Sequence, residues 1–200
     1  MPDLYVAEHQ TARWTSDAVH QSFLELGFEL KEWPVTQHLE KEVPSDSIFC
    51  SAEFSKLFGL QYKTLYHNGE DSWPLTAPQH DTIRKYPWMY YCCSEIRDVN
   101  EAGLALHLSR FYRTSFEFQP YLPRRIFAPD SQFFSRWGSF YRALRDCPAG
   151  VKIASAEQLR DLIGTIEGDA RMREVRQLSE YLLADFDRRL VFSRRNFLTQ

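Results

Sequence analysis

The chain has 200 residues and a net charge of −3, with 44% hydrophobic and 26% charged side chains, which excludes a disordered tail and an indiscriminate nucleic-acid coat. The apolar run Met89-Tyr90-Tyr91-Cys92-Cys93, even extended by Trp88, falls far short of the roughly 20 residues that cross a bilayer. No basic segment precedes an apolar one at the N-terminus and the four cysteines include no CxxC, so reduced thiols in a cytoplasmic protein are expected.

The apolar run at 4–7 predicts a first strand. Thr15, Ser16 and Asp17 are N-cap candidates for a helix whose apolar face is Ala18, Val19, Phe23, Leu24 and Leu26, with Gly27 as its stop. Residues 28–33 alternate Phe, Leu and Trp with Glu and Lys and end at Pro34, the pattern of a strand with one wet face. This β-α-β opening predicts a parallel sheet. A third strand is expected at Ile48-Phe49-Cys50, a short helix over 52–58 closed by Gly59, and a strand over 62–66 before the turn His67-Asn68-Gly69-Glu70-Asp71. Pro74, Pro78 and Pro87 predict a long surface loop over 72–87.

Further on, a helix is expected over 101–107 and strands over 116–118 and 125–127. Asp130 or Ser131 can cap a helix running to Arg145, in which Phe133, Phe134, Trp137, Phe140, Tyr141 and Leu144 recur at spacings of three and four. Ser155 with Gln158 fits a capping box for a helix carrying Leu159, Leu162 and Ile163. A longer helix over 171–189 has the stripe Met172, Val175, Leu178, Leu182 and Phe186, with Arg176 and Glu180 as an i, i+4 pair. The fold class is therefore α/β or α+β: an N-terminal β-α-β parallel-sheet region, a mixed region, then a helical C-terminal part. Residues 1–108 form the sheet region and 109–200 an Arg- and aromatic-rich region, together one compact unit.

Signatures of chemistry are sparse. The glycines form neither GxGxxG nor GxxxxGK[ST], and the histidines form no HExxH, so no metal site and no catalytic residue is assigned. His67, Glu70, Asp71 and His80 read as a polar turn facing water. Cys92 and Cys93 read as buried and inert, and Glu95 and Asp98, flanking Arg97, as a solvated charged face.

The most distinctive stretch is 109–145, in which 11 of 37 residues are aromatic and seven are Arg. Residues 1–100 carry a net charge of −7 and 101–200 a net charge of +4. Arg110, Arg113, Arg124, Arg125, Arg136 and Arg142 can form an anion-binding surface with Tyr112, Tyr121 or Trp137 as stacking faces. Alternatively the rings are core, and the arginines lie over it and pair with acids of the first half. The candidate ligand-binding residues are Arg124, Arg125, Arg136, Arg113, Tyr121 and Trp137; Arg124-Arg125, beside two prolines, comes first.

The order β-α-β, then Ser47-Ile48-Phe49-Cys50-Ser51-Ala52-Glu53-Phe54, then Phe127-Ala128-Pro129-Asp130-Ser131 leading to Gly138, resembles the front two-thirds of a small ATP-grasp ligase. That resemblance covers about residues 1–140 and implies a nucleotide-binding relative using ATP and Mg²⁺. Ala128 stands where the family has an arginine and Phe134 where it has its phosphate-holding lysine. The expected function is that of a non-enzymatic interaction or accessory protein, whose Arg–aromatic surface binds a protein partner, a second copy of the chain or an anionic ligand. The alternatives are the nucleotide-binding ligase relative and a single-stranded nucleic-acid binder, the latter disfavoured by overall acidity; no membrane is expected as partner.

Overall fold

The computed structural model describes residues 6–35, 45–51, 55–68, 70–115, 120–123, 134–146, 148–164 and Glu180. The chain opens on helix α1 (Glu8–Glu25) and strand β1 (Lys31–Pro34). Strands β2 (Ser47–Ser51), β3 (Lys56–Lys63), β4 (Tyr66–Asn68) and β5 (Glu70–Pro74) follow, then α2 (Ala77–Ile83), β6 (Met89–Ser94) and a 3₁₀ helix (Val99–Leu104). Strands β7 (Ser109–Arg113), β8 (Tyr121–Pro123) and β9 (Phe134–Ser135), helix α3 (Trp137–Arg145), strand β10 (Val151–Lys152) and α4 (Ala156–Gly164) complete it.

The main sheet has the order β1-β2-β3-β6-β7-β9, with β10 also on β3. Strands β3 and β6 run parallel, from Gly59↔Met89 to Lys63↔Cys93, and the other pairs in it are antiparallel. The fold is thus a mixed α/β arrangement, and its parallel pair is not the predicted opening unit, because β1 pairs antiparallel with β2. A smaller antiparallel sheet has the order β4-β5-β8.

Each face of the main sheet is covered. On one, Val19 and Phe23 of α1 and Phe140 and Leu144 of α3 pack on Phe58 and Phe111. Phe111 stacks on Phe140 at 4.5 Å and Phe49 on Phe58 at 5.0 Å, so aromatic pairs join strand to strand and strand to helix. On the other, Ile83 of α2, Leu159 of α4 and Trp73 and Leu122 of the small sheet pack on Leu57, Tyr91 and Tyr112. Burial on both faces is why Met89–Ser94 reads as an unbroken apolar run instead of an alternation.

Several sequence expectations are corrected. Residues 6 and 7 are not strand, and α1 starts at Glu8, with the Gln10 side chain accepting from the Ala7 N–H at 3.2 Å. Thr15 and Ser16 are buried inside the helix instead of capping it, because their face turns to the sheet. Gly27, at φ +80°, does end the helix. The helix expected over 52–58 is replaced from Lys56 onward by β3: the Lys56 ammonium donates to the Ala149 carbonyl at 2.8 Å, and Phe58 meets Phe49 across the ladder. Gly59 lies inside this strand instead of closing a helix, where a β-carbon would meet Ser45 and Trp88 at 3.1 Å.

The segment expected as a loop over 72–87 holds the end of β5 and all of α2. Pro74 ends the strand and Pro78 sits in the first helical turn, which needs no N–H donor there. Helix α3 begins at Trp137, since Phe134 and Ser135 pair with Tyr112 and Phe111. The expected helix over 101–107 is the 3₁₀ turn Val99–Leu104, held by Asp98 accepting from the Asn100 N–H at 2.7 Å. Ser155 caps α4 as expected, accepting from the Gln158 N–H at 3.1 Å, while the Gln158 side chain accepts from the Ala154 N–H at 2.9 Å instead of closing the box on Ser155. The strands expected over 116–118 and 125–127, and the helix over 171–189 apart from Glu180, lie outside the described residues.

Candidate functional site

The arginines of the belt fall into two groups. Glu95, at the end of β6 and only 5% exposed, takes Arg110 Nε on Oε1 at 2.8 Å and Arg136 Nη1 on Oε2 at 2.7 Å. Arg136 also donates to the His107 carbonyl at 3.0 Å. Burial pushes the Glu95 carboxyl up, but the two guanidinium groups outweigh it and hold the group below its usual range. Glu95 is therefore a buried anchor, not part of the solvated face that its spacing with Asp98 predicts. Trp137 is half-buried, and its indole N–H donates to Ser22 Oγ at 2.8 Å, tying α3 to α1. Arg113 is exposed and reaches the Pro148 carbonyl at 3.5 Å, and Tyr121 is exposed on β8. Arg124, Arg125 and the Phe127–Ser131 motif lie outside the described residues.

The other expected groups separate as well. His80 is fully buried and shares a hydrogen bond with the Tyr91 hydroxyl, whereas His67 pairs with Asp71 at the surface. Cys92 and Cys93 are buried. Desolvation pushes Cys92 up to about 12 and raises Cys93 strongly, so neither is a thiolate near neutral pH.

A different set of residues surrounds a cavity of about 610 Å³ between the first half of α1 and the ends of β1, β2 and β3. The cavity lies at the carboxyl end of β3, on the side of its antiparallel neighbour β2. Helix α1 contributes Glu8, His9, Arg13, Ser16 and Asp17, and α2 contributes Gln79. Asp46 and Ser47 come from the start of β2, and Gln61, Tyr62 and Lys63 from the end of β3. Strand alternation turns Tyr62 into the core beneath α1 and sets Gln61 and Lys63 together on the opposite face.

Two neighbouring arrangements differ in how far their polar groups are satisfied. Glu32 on β1 is saturated: Ser16 and Ser47 donate to it at 2.5 Å each, and His20 Nε2 lies 3.0 Å away. Burial raises its carboxyl, but the bonds from His20, Ser16 and Ser47 win and keep it below its usual value. This knot holds α1 against the sheet.

Beside it, Asp46 Oδ2 accepts from Gln61 Nε2 at 2.7 Å and from the Tyr62 N–H at 2.5 Å. Among the described residues the buried carbonyl oxygen of Gln61 has no partner. Lys63 is 8% exposed, and no hydrogen bond or ion pair to a described residue engages its ammonium. Glu8, on the first turn of α1, lines the same cavity as Lys63 and brings a further carboxylate to it.

The Asp46 carboxylate, the Gln61 carbonyl oxygen, which lacks a hydrogen-bond donor among the described residues, and the Lys63 ammonium form a charged wall. Leaving a buried carbonyl oxygen unsatisfied costs on the order of 1–3 kcal/mol, a cost that a bound ligand can offset. Among the described residues no three His, Cys, Asp or Glu side chains assemble into a metal-binding group. Asp46 and Gln61 each carry a hard oxygen, the ligand type that Mg²⁺ takes.

Sequence reasoning passed over this site. Its signal is Asp46 just ahead of one strand and Gln61 and Lys63 two apart on the next, but reading 52–58 as a helix hid the pairing. No helix among the described residues is long and apolar enough to cross a membrane. Comparison with protein families, curated proteins and solved structures finds no match to this chain.

Proposed function

We propose that the cavity at Asp46, Gln61 and Lys63 hydrolyses a phosphodiester with the help of a divalent cation. The observation that carries this reading is the buried Gln61 carbonyl oxygen, unpartnered among the described residues, whose amide nitrogen is bonded to Asp46 in a cavity that Lys63 also lines. Asp46 and Gln61 would hold the cation, whose chemistry there would be to polarise a phosphoryl oxygen and to lower the pKa of a bound water. Lys63 faces the non-bridging oxygens and offsets the negative charge that grows as water adds to phosphorus. The P–O bond to the leaving alcohol breaks, and that oxygen takes up a proton. Glu8, on the first turn of α1, is the carboxylate available to accept the proton released by the attacking water.

Bis(p-nitrophenyl) phosphate is the test substrate, with Mg²⁺ or Mn²⁺. The wild-type chain should release p-nitrophenolate. Asp46→Asn and Lys63→Met should each lower kcat by roughly 10²–10³ while retaining the wild-type Tm to within a few degrees. A wild-type chain inert toward the diester with either metal, or an Asp46→Asn chain as fast as wild type, overturns the reading.

A further inference from the structure

Two of the carboxylates in the cavity have no part in diester hydrolysis. Glu8, Asp17, Glu32 and Asp46 line it, against the cations Arg13 and Lys63. Asp46 and Glu8 serve the cation and the proton, whereas Asp17 and Glu32 serve neither.

Helix α1 orders these groups along the cavity. The hydroxyls of Thr11 and Thr64 lie 3.0 Å apart, which fixes the Lys63 end of β3 against the first turn of α1. Further along the helix Ser16 donates to Glu32 at 2.5 Å, and Asp17 follows it. The rise from Thr11 to Ser16 is about 7.5 Å. Positive charge from Lys63 and negative charge from Glu32 therefore stand at separate ends of the space. Glu32 keeps 19% of its side chain exposed, and its bonds from Ser16, Ser47 and His20 favour the ionised form. Arg13 and Asp17 lie 3.9 Å apart with 82% and 72% of their side chains exposed, so water screens the pair and neither charge is cancelled.

We infer that the cavity takes a zwitterionic phosphodiester, one whose ester alcohol carries a short aminoalkyl or quaternary ammonium group. Its phosphate faces Lys63, and its cation lies along α1 toward Glu32 and Asp17. The inference rests on the hydrolytic reading of the cavity and names the substrate class of that site. An uncompensated diester brings one more negative charge to a space in which carboxylates outnumber cations, and an ammonium group on the same molecule offsets that repulsion. A volume of about 610 Å³ suits a small molecule of this kind.

The test compares p-nitrophenylphosphorylcholine with p-nitrophenyl neohexyl phosphate, which has carbon in place of the quaternary nitrogen and the same shape. Calorimetric titration of the full chain at pH 8 in Ca²⁺ reads the two affinities, and p-nitrophenolate release in Mg²⁺ reads turnover. The choline ester should bind about fivefold or more tightly than its neutral isostere. Asp17→Asn should shrink that ratio by about twofold, and Arg13→Gln should enlarge it, because it removes a competing cation. Both side chains are exposed, and a purely structural role would not move the ratio in opposite directions. Equal affinity for the two esters, tighter binding of the neutral one, no binding of either, or a ratio unmoved by both substitutions overturns the inference. Equal affinity with both esters cleaved removes the cation preference alone. Cation-dependent binding without p-nitrophenolate release removes the chemistry alone.

Discussion

Glu95 and Glu32 do similar physical work in different places: each is a carboxylate withdrawn from water and repaid by several donors. Removing the charge from Glu95 leaves two guanidinium groups facing a neutral amide. Because Arg136 is 44% exposed, the loss falls below that of a wholly buried pair. Glu95→Gln should cost about 2–3 kcal/mol in urea unfolding at neutral pH. The folded-state values of both carboxyls lie below the ordinary 4.5, so the unfolded chain binds these protons more readily. Their contribution is accordingly full above that value and is lost as pH falls through the lower folded values. Stability measured from pH 6 downward should decline less steeply below about pH 4.5 in Glu95→Gln than in wild type. An unchanged slope would mean that the Glu95 bridges contribute nothing to acid sensitivity.

Among the elements, β3 decides the most. It joins β2, β6 and β10, and its final residues reach the cavity. Gly150 lets the chain enter β10 against the start of this strand, with φ at +66° and space for no β-carbon: one would lie 2.8 Å from the Leu57 carbonyl oxygen. Gly150→Ala should therefore destabilise by about 2 kcal/mol, a fall in Tm of roughly 4–8 °C. Gly138, in the first turn of α3, has nothing within 4 Å of a built β-carbon, and Gly138→Ala should hold or slightly raise Tm. Thermal unfolding of the two variants side by side checks the contrast, and equal losses would argue against the tight β10 approach. The helix cap at Ser155 was legible in the sequence because it is a local hydrogen-bonding pattern, whereas His67, Asn68, Glu70 and Asp71, expected in a turn, belong to β4 and β5. The strand character of Lys56–Lys63 was not legible, since Lys56 and Gly59 weaken any local strand signal and their partners, Ala149 and Trp88, lie far along the chain.

Across the whole molecule, the main sheet is covered on both faces, and three of the four cysteines lie on it. Cys50, Cys92 and Cys93 are buried, and Cys92 is raised to about 12 by desolvation. In the native protein at neutral pH, iodoacetamide should leave these three unmodified, and in urea it should alkylate them all; peptide mass spectrometry distinguishes the two. Native alkylation at Cys92 or Cys93 would require the central strand β6 to open. The aromatic and Arg-rich composition announced a ring-filled core, and the fold bears that out in Phe111, Tyr112 and Phe140. Composition alone left open where the guanidinium groups point, because a fork on a long stem reaches a carboxylate or a ligand equally well. Arg110 and Arg136 converge on Glu95 only because β6, β7 and the start of α3 are neighbours. By itself the sequence determined the mixed helix–strand class, the Gly27 helix stop and the Ser155 helix cap, but not the apolar face of α1, where Leu24 and Leu26 are exposed. Tertiary structure alone decided that Asp46 and Lys63, seventeen positions apart, share one cavity, since that convergence depends on strand register, which hydrogen bonds between distant segments set.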